Sequence, residues 1–296
     1  MKRWTTPILI LLFLMGLSLL LYPTVSNYWN ARHQSRLISN YADTVSAMDT
    51  AELDRLLAEA EAYNRNIKNR TNPYLLSETE QEIYVDALDV GGTGIMGHIE
   101  IPAIGVTLPI YHGTAESVLQ IAAGHVDWTA LPVGGEGTHC VLSGHRGLPS
   151  AKLFTDLDRL KEGDEFMLRV LNEVLTYEID QILIVLPNET GDLLPVPGED
   201  YCTLVTCTPY GVNSHRMLVR GHRVENTPEA VTIRVVADAI QIEPVLVAPV
   251  VAMPMLLLLA IILFASPKPR KGKTQTKTKP KSKTTEGGGK REEEPK

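Results

Sequence analysis

Two long uncharged apolar segments set the first constraint on this 296-residue chain. From Trp4 to Tyr22 no residue is charged, and Ile8–Leu14 is unbroken hydrocarbon and aromatic surface. Near the other end, Val245–Ala265 is again uncharged and long enough for a helix crossing a ~30 Å hydrocarbon layer. Helices buried in soluble domains usually carry a polar face, and these segments have none, so both read as membrane segments. Lys2 and Arg3 precede the first, and a tail from Lys268 to Lys296 with 11 basic residues against 4 glutamates follows the second. Positive flanks remain in the cytoplasm. The pattern therefore predicts a plasma-membrane protein with both termini inside and residues of roughly 30–243 outside. The basic start, short apolar core and small residues Thr24 and Ser26 also fit a secretory signal with a cleavage site. Either reading exports the middle of the chain, and an uncleaved anchor is the one adopted.

The formal net charge of −7 hides a split. Setting aside Lys2, Arg3 and the tail leaves 15 basic against 31 acidic residues in the exported part. Nucleic acid is thereby excluded as its partner, because phosphate binding needs a basic face. The tail "KPRKGKTQTKTKPKSK" reads as a disordered, topology-setting segment near anionic lipid.

Within the exported part, residues 34–69 read as helix. Leu53, Leu56, Leu57 and Ala60 recur at spacings of three and four, and Asp49 with Thr50 offers an N-terminal cap. "RTNPYLLSETEQ" then breaks the pattern, since proline disfavours helix in the residue before it. From Gly91 onward come short runs rich in Val, Ile, Leu and Thr, separated by Gly, Pro and Asp: "GIMGHIEIPAI", "VTLPIYHG", "THCVLSGH", "EFMLRVL", "LTYEIDQILIVLP", "YCTLVTC" and "RMLVRGHRV". Strands at this spacing predict an all-β barrel or sandwich. "SAKLFTDLDRLKEGD" reads as a short helix or turn ending near Gly163. There is no internal repeat, no Gly-rich phosphate loop and no Cys-x-x-Cys pair.

Chemistry is concentrated in two stretches. Cys207 stands where the strand "YCTLVTC" meets the loop "TPYG", with Arg216 and Arg220 following on what reads as the returning strand. Strand ends hold reactive groups while leaving them open to substrate, and neighbouring cations favour the reactive thiolate. A cysteine alone says little, because most are small buried hydrophobes. The second stretch, "HCVLSGHRGLPSAKLF", also ends a strand, at His145. Histidine is the usual acid/base partner of a nucleophilic thiol. On the residues alone His145, His215 and His222 remain rivals for that role. The eight histidines are too scattered to form a metal constellation, and the acidic surface alone does not make a calcium site; no metal or organic cofactor is expected.

"LVTCTPYGVNSHRMLVRGHR", "LSGHRGLPSAKLF", "GHIEIPAIGVTLPIYHGT" and "LPVGGEGTH" together resemble the signature of the sortases, membrane-tethered cysteine transpeptidases of Gram-positive bacteria. The resemblance covers nearly everything from about residue 60 to 225. The helical extension, a proline–aromatic loop and the C-terminal apolar segment resemble the class C, pilin-polymerising branch. The resemblance implies a mainly β fold, an eight-stranded sortase-type β-barrel with a helical extension and a lid loop, flanked by two membrane segments. It also implies Cys207 as nucleophile, His145 as general acid/base and Arg216 as the oxyanion- or substrate-positioning cation, with His215, His222 and Arg220 structural or peripheral.

In class C sortases an aspartate–proline–aromatic motif on the lid covers the site. The matching residues here are Asn72, Pro73 and Tyr74. Asparagine accepts a hydrogen bond but carries no charge, so a salt bridge from this position to Arg216 is ruled out, and Tyr74 is the expected plug over Cys207. Cys140 precedes His145 by five residues and Cys202 precedes Cys207 by five. If the two strands run parallel and in register, Cys140 and Cys202 are neighbours. An exported domain can keep a disulfide when the Cα atoms lie within roughly 7 Å. Two buried free thiols are nevertheless expected, since adjacent strands position side chains poorly for bridging.

The expected organisation is an anchor or signal-like segment over 1–30 and a helical extension over 31–90 with the lid around 71–76. A catalytic barrel over 91–228, a linker over 229–243, a transmembrane helix over 244–266 and a basic tail over 267–296 follow. The expected activity cleaves an LPXTG-like sorting signal between Thr and Gly and joins the acyl group to a lysine of another pilin subunit. The alternatives are cell-wall anchoring with a peptidoglycan precursor amine as acceptor, and a catalytically silent membrane-anchored scaffold on the same barrel.

Overall fold

The structure, a computed structural model, describes residues 2–227. The expected linker over 229–243, second membrane segment over 244–266 and basic tail over 267–296 lie outside the described residues. Helix α1 runs from Lys2 to Ser46. Its apolar part is long enough to cross a membrane, with a mean hydropathy of 2.4, and none of that window is buried in the protein. One N-terminal apolar helix of this kind suggests membrane anchoring. The same helix continues past the boundary expected at residue 30 and onto the domain. Gln34, Ile38, Tyr41 and Val45, spaced by four, three and four, form a buried stripe.

The stripe is pinned by specific bonds. Gln34 Nε2 donates to the Ile121 carbonyl (2.7 Å), and Tyr41 OH donates to the Met96 carbonyl (2.9 Å) while accepting from Leu171 N (2.8 Å).

The single helix expected over 34–69 is two. It breaks after Ser46 and restarts as α2, Thr50–Ile67, with Asp49 as N-cap accepting from Glu52 N at 2.7 Å. The cap residue marked in the sequence starts a new helix here: its side chain accepts from an N–H for which no preceding turn supplies a carbonyl. The break lets α2 lay its own face, Ala60, Tyr63 and Asn64, on the barrel. Inside the stretch expected to be loop, Ser77 and Glu80 form a capping box that starts α3, Glu78–Asp86. The S-x-x-E spacing that builds it is visible in the sequence.

The strands are β1 (Ile95–Ile101), β2 (Val106–His112), β3 (Ala123–His125), β4 (Thr138–Ser143), β5 (Glu165–Val170), β6 (Glu173–Val185), β7 (Asp200–Thr208) and β8 (His215–Val224). They close into a barrel in the order β1-β2-β3-β4-β7-β8-β6-β5, with β5 returning to β1. The eight-stranded barrel expected from the resemblance is therefore the fold. Seven of its strands were legible as apolar runs; three-residue β3 is too short to show a period.

The segment near Leu157 is a single 3₁₀ turn, as "SAKLFTDLDRLKEGD" suggested. Most pairs are antiparallel, but β4 lies parallel to β7. Two strands that run the same way end at the same rim, and this pair positions the site.

Candidate active site

The β4–β7 ladder runs in register from Thr138↔Asp200 through Cys140↔Cys202 to Ser143↔Val205. Backbone bonding continues past the strand end, with Gly144 N donating to Val205 O (3.0 Å) and Thr206 Oγ1 donating to Gly144 O (2.8 Å). Extending that register sets His145 beside Cys207, across the ~4.8 Å that separates neighbouring strands. On the other side of β7, the antiparallel β7–β8 hairpin pairs Cys207 directly with Arg216. His145 just past the end of β4, Cys207 on β7 and Arg216 on β8 are thus placed side by side along one rim, with Cys207 in the middle.

The pleat sorts the rival histidines. Along β7, Thr206 and Thr208 are buried while Cys207 between them is half-buried, so Cys207 faces away from the barrel interior. Arg216, its cross-strand partner, shares that face. His215 pairs with Thr208 and so belongs to the opposite face, and His222 pairs with Tyr201, six residues back along β7. His139 is buried with both ring nitrogens engaged, by Leu194 O (3.1 Å) and Thr203 Oγ1 (2.7 Å). Burial pushes its pKa down to about 4, so it stays neutral. His125 is enclosed between Tyr84 OH and the Ala130 carbonyl. These are structural histidines.

Local sequence shapes the rim. Gly144 has Phe154 pressed against it: a Cβ there would lie 2.5 Å from Phe154 Cδ2. Phe154 N in turn donates to the His145 carbonyl (3.1 Å), so the loop after β4 folds back over the glycine and holds the His145 backbone. Arg146 reaches Thr208 Oγ1 (3.4 Å) and pairs with Asp158. Helix α1 braces this loop from outside, Asn30 Nδ2 donating to Ser150 O and Asn27 Oδ1 accepting from Lys152 N, both at 2.7 Å. His145 Nε2 lies 3.1 and 3.2 Å from the two carboxylate oxygens of Glu116, on the short helix α4 (Glu116–Leu119). Arg216 directs Nη1 at the Asn213 and His215 carbonyls.

The segment 71–76 lies between α2 and α3. Asn72 Oδ1 accepts from Tyr74 N (3.0 Å), a turn-forming bond. The Tyr74 ring meets Trp128 edge-on at 5.0 Å. Trp128 packs on an outer apolar patch of Val141, Leu193 and Leu218 that also includes Val205. Val205 stands two residues before Cys207 on the same face of β7, about 7 Å away along the strand. The base of the segment is closed by Arg70, whose guanidinium meets Glu80 Oε1 (2.7 Å), Tyr63 OH (3.1 Å) and the Trp128 carbonyl (3.3 Å). Bonding from Ser77 and then Arg70 pulls the Glu80 carboxyl down to about 2.

Cys140 and Cys202, register partners as expected, are both buried and both free thiols, so the alternative disulfide is not formed. Burial holds Cys202 well above the ordinary thiol range. Among the described residues no group of three or more His, Cys, Asp or Glu could hold a metal ion.

Residues 99–224 match the family model described as Sortase domain. Sortase C1 from Streptococcus agalactiae superposes with a TM-score of 0.64 at 49% identity, over 65% of this chain and 100% of that one. Sortase C from Streptococcus pneumoniae does so with a TM-score of 0.59 at 46% identity, over 65% and 98%. The chain belongs to the sortase family. Among curated relatives, Sortase A from Streptococcus agalactiae is 27% identical over 70% of this chain and 78% of its own length. This sortase is thus a transpeptidase by family, and the two solved structures named above are class C sortases. Glu116, Trp128 and the Arg70–Glu80 pair escaped sequence reasoning. Only the S-x-x-E box at Ser77 hinted at the last of them.

Proposed function

We propose that this sortase is a pilin-polymerising transpeptidase in which Cys207 is the nucleophile, His145 the general acid/base and Arg216 the oxyanion-positioning cation. The observation that carries the reading is the register of β4, β7 and β8 around Cys207. The Cys207 thiol passes its proton to His145, and its sulfur attacks the threonine carbonyl of the Thr–Gly bond in an LPXTG-like sorting signal. Arg216 donates hydrogen bonds to the developing oxyanion, a contact whose removal costs about 3 kcal/mol in comparable enzymes. As the tetrahedral intermediate collapses, the C–N bond breaks and His145 returns the proton to the departing glycine amine. A lysine amine of a second pilin subunit then attacks the thioester, His145 takes its proton, and the thiol is released as the isopeptide bond forms.

The aromatic contact between Tyr74 and Trp128, on the sheet face that presents Cys207, supports a lid over residues 71–76 with Tyr74 as its plug. The domain boundaries expected from sequence, the extracellular site and the cytoplasmic termini belong to the same proposal; the apolar part of α1 supports the anchor. The test is incubation of the full chain in detergent with a pilin bearing an LPXTG-like signal. Covalent ladders are expected, and Cys207→Ala forms none. Ladders from the alanine variant would sink the assignment. Transfer to a peptidoglycan precursor amine, with no pilin ladders, would point to cell-wall anchoring.

A further inference from the structure

We infer that Glu116 is a positioning residue for the transpeptidation, orienting the His145 imidazole so that Nδ1 is the nitrogen that exchanges protons at the reacting centre. The inference rests on the reading of His145 as the acid/base. Both oxygens of the Glu116 carboxylate approach His145 Nε2, at 3.1 and 3.2 Å, and Gln120 Nε2 donates to Oε1 at 3.2 Å. Bonding from Gln120 and from His145 keeps the Glu116 carboxyl below its ordinary range, so it is ionised at neutral pH. An ionised carboxylate only accepts hydrogen bonds. Nε2 must therefore carry its proton whether the ring is neutral or charged, which fixes the neutral tautomer and leaves Nδ1 to take the thiol proton and deliver it to the leaving amine.

Stability is not the purpose of this contact. Glu116 is two-thirds exposed, and ion pairs in such positions contribute little to folding. Its effect is geometric. His145 follows the end of β4 and has its backbone held by Phe154, while Glu116 holds the far end of the ring from a separate helix. Without that contact the ring turns freely about its side-chain bonds and presents either nitrogen.

A leaving group that needs no proton separates this role from a general structural one. Acylation is followed as kcat/KM for the full chain in detergent with two versions of one sorting-signal peptide. One has the natural Thr–Gly amide and the other a thioester at that bond, which departs as thiolate. General acid catalysis contributes about 10²–10⁴-fold, and loss of orientation should forfeit about 10-fold of it. Glu116→Ala is expected to lower kcat/KM for the amide about 10-fold, through kcat, and for the thioester, which still needs the thiol proton taken but none delivered, by only about 3-fold. Glu116→Gln, whose amide oxygen still accepts from Nε2, is expected to recover part of the amide activity. Equal losses on the two substrates, or no loss on the amide, would overturn the inference. His145→Ala is run alongside. If it keeps full amide activity, the acid/base reading itself has failed and Glu116 falls with it. If it loses amide activity while Glu116→Ala does not, only the role of Glu116 is refuted.

Discussion

Asn64 ties the helix before residues 71–76 to the barrel, and its removal has a calculable cost. Its Oδ1 accepts from Leu131 N at 2.7 Å and its Nδ2 donates to Leu131 O at 3.1 Å, so one side chain satisfies both backbone groups of a buried residue. Asn64 and Leu131 are almost wholly inaccessible to solvent. In Asn64→Ala both groups of Leu131 lose their partner inside the protein. Each orphaned buried group costs roughly 1–3 kcal/mol, and partial entry of water into the vacated space lowers the sum. About 3 kcal/mol is expected for the pair. For a domain of this size that corresponds to a fall in Tm of about 6–12 °C.

The measurement is thermal unfolding of the full chain in detergent, followed by near-ultraviolet circular dichroism. A second readout is kinetic. Helix α2 ends at Ile67, shortly before residues 71–76, so loosening it should speed alkylation of Cys207 by iodoacetamide. A destabilisation below about 1 kcal/mol would refute the claim that the substitution leaves two buried backbone groups of Leu131 without partners. Destabilisation with an unchanged alkylation rate would refute the coupling of α2 to the proposed lid.

Gly144→Ala forces a Cβ into Phe154; overpacking of this kind costs about 1–3 kcal/mol, and displacement of His145 should lower transpeptidation by more than the stability loss explains. Activity measured well below Tm checks it, and wild-type turnover would refute it. Glu80 has a folded-state pKa depressed from 4.5 to about 2, so its contribution is complete above pH 4.5 and is lost as pH falls towards 2. Proteolysis of residues 71–76 by an acid-active protease should rise across that window, and Glu80→Gln should cleave fast throughout it; a pH-independent wild type would contradict this. Tyr74→Ala should speed alkylation of Cys207 several-fold, and equal rates would remove the lid.

The parts of this protein set by near neighbours were legible in the chain. The apolar run that makes α1 membrane-compatible, the cap at Asp49 and seven of eight strands each depend on residues within a few positions of one another. The resemblance carried by "LVTC" and "LSGHRG" pointed to the sortase barrel, whereas composition alone left His145, His215 and His222 unresolved.

Tertiary structure decided the rest. Parallel pairing of β4 with β7 joins residues some sixty apart, and no local pattern encodes a partner at that distance. Its register is set by closure of the whole barrel, since a one-residue slip would turn every side chain of a strand to the other face. The pairing of Glu116 with His145 and of Trp128 with Tyr74 has the same origin: separate segments meet only once the barrel gives them a common rim. Sequence by itself determined the elements and the kinds of chemistry they carry. Which residues face one another was decided by how the barrel closes, because contacts between distant segments arise only when the chain as a whole has buried its core.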